Sequence, residues 1–432
     1  MKNKLTFVAV AAILLMIMIG YSCSKKFEHL EGGTSLTAED QSNAFSCSGL
    51  LFKNGLAIRD VGYIINNYNL YKDALTKTNF VVIQVYWKDI DTSAAGNTAG
   101  SFDFTKLDSD LSQVSYLNSL SPGYNLKVKL RIYAGLNAPA WVRNGTSYGG
   151  GTNGIRYIDY TDMDDDGDST DYIRLPTPWR PGYLNVFRKF LLGLKNHVAL
   201  NSLVVDVTGS SMCVATAEPM FLKLGTGNIN GGDTVTASDW IAKGYTASQH
   251  ASSVRYSFFL FDSVWHSMNT SMSMCFSKLQ VLKKRPNGTY YIDEVLDSTK
   301  NFVDYFYTLN GCRSVLGNNG LRYNVPCDSS GAYHPDEMDV SLYNYLVQKK
   351  YPNGTTNDPV CRIYYQSMQA ADGLMGHLYE TLSTGVEYKA DYIELPSYKT
   401  LNESCRCVSG CPTSTSPGFV DSLARYDNLL GD

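Results

Sequence analysis

Residues 203–221 read LVVDVTGSSMCVATAEPMF, an apolar segment that ends in glycine and serine and leads to a carboxylate. Its β-branched residues are typical of a strand buried on both faces, as in parallel sheets that helices cover. In such sheets the functional groups lie beyond the carboxyl ends of the strands. Glu218 follows the end of this strand, which makes it a candidate catalytic residue. Asp206 lies inside the strand and therefore needs a buried partner.

The rest of the chain repeats the same alternation of a strand-like and a helix-like segment. Strand segments are predicted at residues 55–59, 80–87, 126–135, 203–209, 272–279, 312–317, 361–369 and 390–395. Eight strands, each followed by a helix, predict an α/β fold: a single (β/α)8 TIM barrel with long βα loops. A doubly wound sheet is the main alternative, and the missing Gly-rich phosphate loop disfavours it. The Gly- and Asp-rich insertion at residues 144–171 is predicted to be a loop.

The N-terminus has the pattern of an export segment. Lys2 and Lys4 precede an apolar run at residues 5–19, which is too short for a convincing membrane span. The following Gly-Tyr-Ser-Cys resembles a bacterial lipoprotein lipobox, which implies a lipid on Cys23; ordinary cleavage and an uncleaved anchor stay open. We therefore expect a lipoprotein-type signal peptide at 1–23, a polar tether at 24–50 and the barrel at 51–432. The expected location is the cell envelope, as an exported, lipid-anchored protein in the periplasm or on the outer-membrane surface.

Composition narrows the class of partner. A formal net charge of −4 provides no basic surface for nucleic acid and favours a neutral or small partner. The 31 Tyr and 5 Trp residues provide aromatic faces that stack on sugar rings as well as packing cores. Nine cysteines follow Cys23, which outside the cytoplasm predicts some disulfides and at least one unpaired thiol.

Two carboxylates are placed to face one cleft. The eighth predicted strand carries Glu394, and glycoside hydrolysis needs one acid to protonate the leaving oxygen and a second to activate water or attack the sugar. Strands four and eight are opposite in an eight-stranded ring, which favours a wide gap between the carboxylates and hence inversion. The alternatives are a surface or helix-start acid for Glu218, and for Glu394 a buried acid paired with Lys127, Lys129 or Arg131.

Aromatic and polar side chains at the same strand ends are candidates for substrate binding. They are Trp87, Arg131, Trp141, Trp179, Tyr364, Gln366 and Tyr392. For the tryptophans, packing is the alternative interpretation.

The segment DMDDDGDSTD, at residues 162–171, opens like a calcium-binding loop. Asp162, Asp164 and Asp166 would be the ligands, but Ile173 stands where an EF-hand has its bidentate Glu. A structural calcium ion and a solvated acidic loop are therefore both open. The histidines show no metal spacing, no nucleophile elbow is present, and no cofactor is required for the expected chemistry.

Four segments resemble the barrel superfamily of retaining glycoside hydrolases that includes family 42 β-galactosidases and family 5 cellulase-like enzymes. They are VYWKDID, SFDFTKLD, LKVKLRIYAGLNAPAWV and LPTPWRPGYLNVFRKFL, within residues 80–221. The resemblance implies that Glu218 is the acid/base, although Ala217 replaces the usual Asn before it. The family nucleophile is a Glu at the end of strand seven, where this chain has Gln366.

A glutamine cannot attack the anomeric carbon as a carboxylate does, so Gln366 leaves two main functional hypotheses. Either Glu394 supplies the second carboxylate of a glycoside hydrolase-like protein that acts on a neutral oligosaccharide or polysaccharide, or the chain is a non-catalytic surface glycan-binding lipoprotein on a degenerate barrel. A structural or adhesion protein of the cell surface is a third interpretation.

Overall fold

The computed structural model describes ten segments of the chain. They are residues 50, 53–93, 101–144, 155–158, 172–209, 237–321, 337–355, 359–367, 378–395 and 417–431. All of them lie in the second of two compact units, Cys47–Asp432. Among the described helices, none is both long and apolar enough to cross a membrane.

Eight parallel strands form a closed ring. They are β1 Gly55–Ile58, β2 Phe80–Tyr86, β3 Lys127–Tyr133, β4 Val204–Thr208, β5 Ser271–Cys275, β6 Ser314–Leu321, β7 Arg362–Ser367 and β8 Tyr392–Glu394. Each strand pairs with its neighbours in chain order, and β8 closes the ring by pairing with β1. The predicted (β/α)8 barrel is thereby confirmed, and the doubly wound alternative is excluded because its sheet would be open.

Helices follow the strands and cover the outside of the ring. Their bounds are Val61–Asn66, Tyr68–Leu75, Trp87–Ile90, Thr105–Leu120, Ala140–Asn144, Pro181–Val198, Ala237–Ala242, Ala247–Trp265, Leu296–Asn310, Glu337–Lys350, Leu378–Glu387 and Pro417–Gly431. In Thr105–Leu120 the buried residues recur at helical spacing, from Leu107 and Leu111 to Val114 and Leu117.

The main core lies between the strands and these helices. On β2, Val81, Ile83 and Val85 belong to this outer core, whereas Phe80 and Val82 belong to a smaller cluster inside the barrel. This alternation is the period of two that a strand imposes. Every second residue of a barrel strand is therefore available for the interior.

Two hairpins depart from the predicted elements. The sequence pattern of residues 293–309 predicts a helix. In the structure Tyr290–Val295 pairs with Leu279–Lys284 in an antiparallel sheet, so that helix begins only at Leu296. Pro286 and Asn287 form the turn, which the Gly288 N–H closes on the carbonyl of Arg285, and Gly288 follows at φ +87°; the sequence carries this turn signal. The segment predicted as a loop from residue 144 contains Ile155–Ile158, which pairs with Tyr172–Leu175.

Candidate active site at the carboxyl end of the barrel

Polar residues fill the carboxyl half of the barrel interior. Asp206 of β4 pairs in register with Lys129 of β3, and Glu394 of β8 pairs with Gln366 of β7. Lys129, Asp206 and Glu394 have no exposed surface, and Gln366 is half-buried. The sequence shows these positions as alternate residues of four separate strands, and ring closure brings them together.

Glu394 is held by three cations. Its Oε1 lies 2.8 Å from Nζ of Lys129, and its Oε2 accepts a close hydrogen bond from Nη2 of Arg131. Nη2 of Arg59, the residue after β1, lies 3.7 Å from the same Oε2. Three cationic partners hold this buried carboxylate in one position and favour its ionised form.

Asp206 is connected to the same cluster through a tyrosine. The hydroxyl of Tyr392 donates to Oδ2 of Asp206 at 2.8 Å and accepts from Nζ of Lys129 at 2.6 Å. Lys129 Nζ is also 3.7 Å from Oδ2 of Asp206. Lys129 therefore contacts both buried carboxylates, which lie on different strands.

Two tyrosines form an aromatic wall beside Lys129. The rings of Tyr364 and Tyr392 stack with centroids 5.2 Å apart and planes 8° from parallel. Nζ of Lys129 lies 3.4 Å from the centroid of Tyr364, a cation–π contact. Gly317 of β6 makes room for this wall, because a Cβ there would overlap the Tyr364 ring.

These contacts set the protonation states of the site. Burial raises the pKa of Glu394, but Arg131, Lys129 and Arg59 outweigh it and lower the pKa to about 2. Burial raises the pKa of Asp206, and Lys129 and Tyr392 oppose that rise without cancelling it. Glu394 is therefore ionised at neutral pH. It can accept a proton or stabilise positive charge on a sugar, but it has no proton to donate.

The predicted binding residues divide into two groups. Arg131, Tyr364, Gln366 and Tyr392 lie inside the barrel next to Glu394. The fully buried Trp87 instead packs outside the ring, with its centroid 5.3 Å from those of Phe187 and Phe190. Its Nε1 donates to Asp91, so Trp87 is a packing residue.

The other two tryptophans also have protein contacts. Trp141 is 6% exposed and belongs to the main core cluster. Trp179 is half-buried, donates from Nε1 to the carbonyl of Lys243, and lies 6.1 Å from Trp240 and 5.8 Å from Tyr245 between ring centroids. These aromatic rings join the segment before helix Pro181–Val198 to the segment before helix Ala247–Trp265.

Several predicted residues lie outside the described part of the chain. They are Glu218, Asp162, Asp164, Asp166 and Cys23. Gly209, which follows β4 and donates its N–H to the carbonyl of Ser273 on β5, is the described residue nearest in chain order to Glu218. In the ring, three strands separate β4 from β8 in either direction, so the strand that leads to Glu218 is opposite the strand that carries Glu394.

Within the described segments, no group of three His, Cys, Asp or Glu could hold a metal ion.

Four residues at the carboxyl ends of β1 to β3 were missed by the sequence analysis. Arg59 approaches Glu394, and Tyr86 donates to Gln84, which in turn donates to the hydroxyl of Tyr133. The signal that could have found them is alternation: Gln84 and Tyr86 continue the inward series of β2, and Tyr133 follows Lys129 and Arg131 on β3.

Comparison with known proteins gives no family. No family model matches the sequence, and no curated protein matches it. Among solved structures, the chain is similar to the catalytic domain of β-amylase from Paenibacillus polymyxa, at 10% identity and a TM-score of 0.48 over 86% of this chain and 98% of that one. It is also similar to endo-glycoceramidase II from Rhodococcus sp., at 13% identity and a TM-score of 0.42 over 86% of this chain and 78% of that one. A third similar structure is the β-galactosidase from the psychrophilic Marinomonas ef1, at 10% identity and a TM-score of 0.41 over 79% of this chain and 53% of that one. The (β/α)8 assignment itself rests on the closed ring of parallel strands.

Proposed function

We propose that this protein is an exported glycoside hydrolase-like protein that acts on an oligosaccharide or polysaccharide, with Glu218 as general acid and Glu394 as the second carboxylate. The observation that carries the proposal is the state of Glu394: a fully buried carboxylate at the carboxyl end of β8, kept ionised by Lys129 and Arg131. Catalytic groups of (β/α)8 enzymes lie at this end of the strands.

The two carboxylates have different tasks in this proposal. Glu394 is ionised at neutral pH, so it serves as the base that accepts a proton from the attacking water or as the charge that stabilises the oxocarbenium-like transition state. Proton donation to the leaving oxygen then falls to Glu218. The opposite positions of β4 and β8 support a wide separation and inversion of the anomeric carbon.

Gln366 fits this division of roles. Its side chain lies beside Glu394 on the neighbouring strand and is half-buried. An amide there can hydrogen-bond a sugar hydroxyl but cannot form a covalent glycosyl intermediate. Tyr364 and Tyr392 line the same interior, where Tyr392 orients Lys129 and Tyr364 covers it.

A glycan panel tests the proposal. Release of reducing ends is measured with the purified full chain, with Glu218→Gln, and with Asp391→Asn as the matched control. Asp391 lies at the amino end of β8, where it pairs with Lys350 at 2.7 Å, away from the proposed site. We expect turnover by the wild type and the control and a loss on the order of 100-fold or more in Glu218→Gln. Binding of a glycan without any turnover would instead identify the non-catalytic alternative.

We also propose that the chain is lipid-anchored through Cys23 in the cell envelope. The export pattern of residues 1–23 supports this, as does the disulfide of Cys312, since disulfides persist outside the cytoplasm. Membrane fractionation of the wild type and Cys23→Ala tests it: the anchor predicts that only the variant becomes soluble.

A structural calcium ion at Asp162, Asp164 and Asp166 is a separate proposal, tested by calorimetric calcium titration of the wild type and Asp164→Asn.

A further inference from the structure

Arg59 is a buried cation whose hydrogen-bonding capacity is largely unused. Its side chain is 4% exposed, and among the described residues its Nε and Nη2 have no hydrogen-bond acceptor. Within the described segments, its ion contact is the 3.7 Å approach to Glu394, whose Oε2 is already bonded by Arg131. Buried guanidinium groups normally make bidentate contacts with an anion, so Arg59 lacks the partner that its chemistry favours.

Tyr133, at the carboxyl end of β3, carries a second hydrogen-bond donor. Its hydroxyl accepts from Nε2 of Gln84 at 3.2 Å, and no acceptor for its own proton is found within the described part of the chain. Burial lowers the pKa of Arg59, and Tyr133 opposes that shift. Tyr86 donates to Oε1 of Gln84 at 2.8 Å and stacks on Tyr133 with centroids 4.9 Å apart, so the Tyr133 ring is fixed in position.

The charges of the cluster also leave room for an anion. Arg59, Lys129 and Arg131 are three cations, and Asp206 and Glu394 are the two carboxylates that face them. Among these five described side chains, the cations outnumber the carboxylates by one. Burial and the neighbouring Arg131 lower the pKa of Arg59, and Glu394 offsets this only in part. The net charge of −4 favours a neutral or small partner, but it averages over the whole chain and does not describe this buried cluster.

The backbone after Arg59 is strained. Asp60 adopts the left-handed conformation, with φ 60° and ψ 53°, immediately before helix Val61–Asn66. A non-glycine residue rarely takes this conformation, and such strain is concentrated at functional sites. Here it turns the chain sharply at the residue after Arg59, which lies on the same face of β1 as Ala57, the register partner of Glu394.

We infer that Arg59 and Tyr133 form a subsite for the carboxylate of an acidic sugar, so that the glycan carries uronic acid residues. The inference rests on the proposed function and deepens it by naming the substrate class. The Arg59 guanidinium and the Tyr133 hydroxyl supply hydrogen-bond donors, and the carboxylate supplies the missing acceptors. Gln84 positions Tyr133 and does not itself contact the anion.

Matched glycans test the subsite directly. Binding of the full chain is measured to tetrasaccharides of galacturonate, mannuronate and hyaluronan. Each is compared with its carboxyl-methyl ester, and a sulfated chondroitin tetrasaccharide is included. We expect at least one acidic member to bind about tenfold tighter than its ester, or more. Arg59→Gln should lose this difference and Tyr133→Phe should reduce it. Arg425→Gln, which removes an exposed cation from helix Pro417–Gly431, should keep it.

The outcomes separate this inference from the proposed function. Hydrolysis with equal affinity for the acidic glycans and their esters would overturn the subsite and leave the activity in place. The same conclusion would follow if the double variant Arg59→Gln with Tyr133→Phe kept the wild-type preference for the acid over the ester. Binding of the sulfated chondroitin member that survives esterification of its own uronic acid carboxyl groups would overturn the assignment to a carboxylate, because only its sulfate groups would then be charged. Arg59-dependent binding of an acidic member without hydrolysis of any glycan would support the subsite and contradict the activity. Absence of binding to every glycan would overturn both.

Discussion

Tyr392 of β8 donates a hydrogen bond of 2.8 Å to Asp206 of β4, the strand on the opposite side of the ring. The bond crosses the interior of the barrel, and Lys129 of β3 donates to the same tyrosine hydroxyl. A polar cluster, rather than an apolar one, therefore holds the carboxyl half of the barrel together. Such clusters are stable only when their members are satisfied, so single changes should have large and unequal effects.

Replacing Tyr392 with Phe should destabilise the fold, whereas replacing Tyr364 with Phe should not. Phe at 392 leaves Asp206 and Lys129 without a shared partner, and a lost bond to a charged group costs about 1.5–3 kcal/mol. The hydroxyl of Tyr364, although buried, has no hydrogen-bond partner within the described residues. Urea unfolding of both variants measures the difference. Equal losses of stability would show that ring packing, and not the hydroxyl bridge, dominates.

The state of Glu394 predicts a defined acid sensitivity. Its pKa in the folded protein is about 2, against 4.5 ordinarily, so its ionised form stabilises the fold above about pH 4.5 and this contribution is lost as the pH falls towards 2. The shift corresponds to about 3 kcal/mol. The difference in unfolding free energy between the wild type and Glu394→Gln should therefore narrow by about 3 kcal/mol as the pH falls from about 4.5 to about 2. A difference that is independent of pH would contradict the ionised assignment.

Gly317→Ala tests the aromatic wall. The added methyl group would overlap the ring of Tyr364, which stacks on Tyr392 and covers Lys129. Overpacking of this kind costs about 1–3 kcal/mol. Gly123→Ala is the control, because the nearest atom to its new Cβ is Ser121 Oγ at 3.7 Å, an ordinary contact. Thermal unfolding should show a lower midpoint for Gly317→Ala alone; matching midpoints would mean that the wall can shift without cost.

The fold could be predicted because its signals are local. Each barrel strand is a short β-branched or alternating run, and helices with a buried stripe such as Leu107 to Leu117 follow from the same kind of pattern. Alternation also placed Glu394 inside the barrel. The hairpin at residues 279–295 was missed although Asn287 and Gly288 carry a turn signal, because residues 293–309 were interpreted as a helix.

The contacts of the site could not be predicted, because they join strands that are distant in the sequence. Arg59 follows a strand of four residues, and nothing nearby indicates that ring closure will bring it to Glu394. Trp87 directly follows β2 at the carboxyl end of the barrel, but Phe187 and Phe190 of a later helix enclose it. Whether an aromatic side chain stacks on a ligand or on a helix depends on tertiary packing, which local patterns do not contain.

The central claim is that Glu394 takes part in the hydrolysis of a glycan. The most direct measurement is the turnover of Glu394→Gln on the glycan that the wild type cleaves, with Asp391→Asn, at the residue before the same strand, as the control for loss of a carboxylate in an ion pair. Circular dichroism at the assay temperature establishes that both variants are folded. We predict a loss on the order of 1,000-fold for Glu394→Gln and turnover near that of the wild type for Asp391→Asn. Folded Glu394→Gln with turnover comparable to the control would contradict the account.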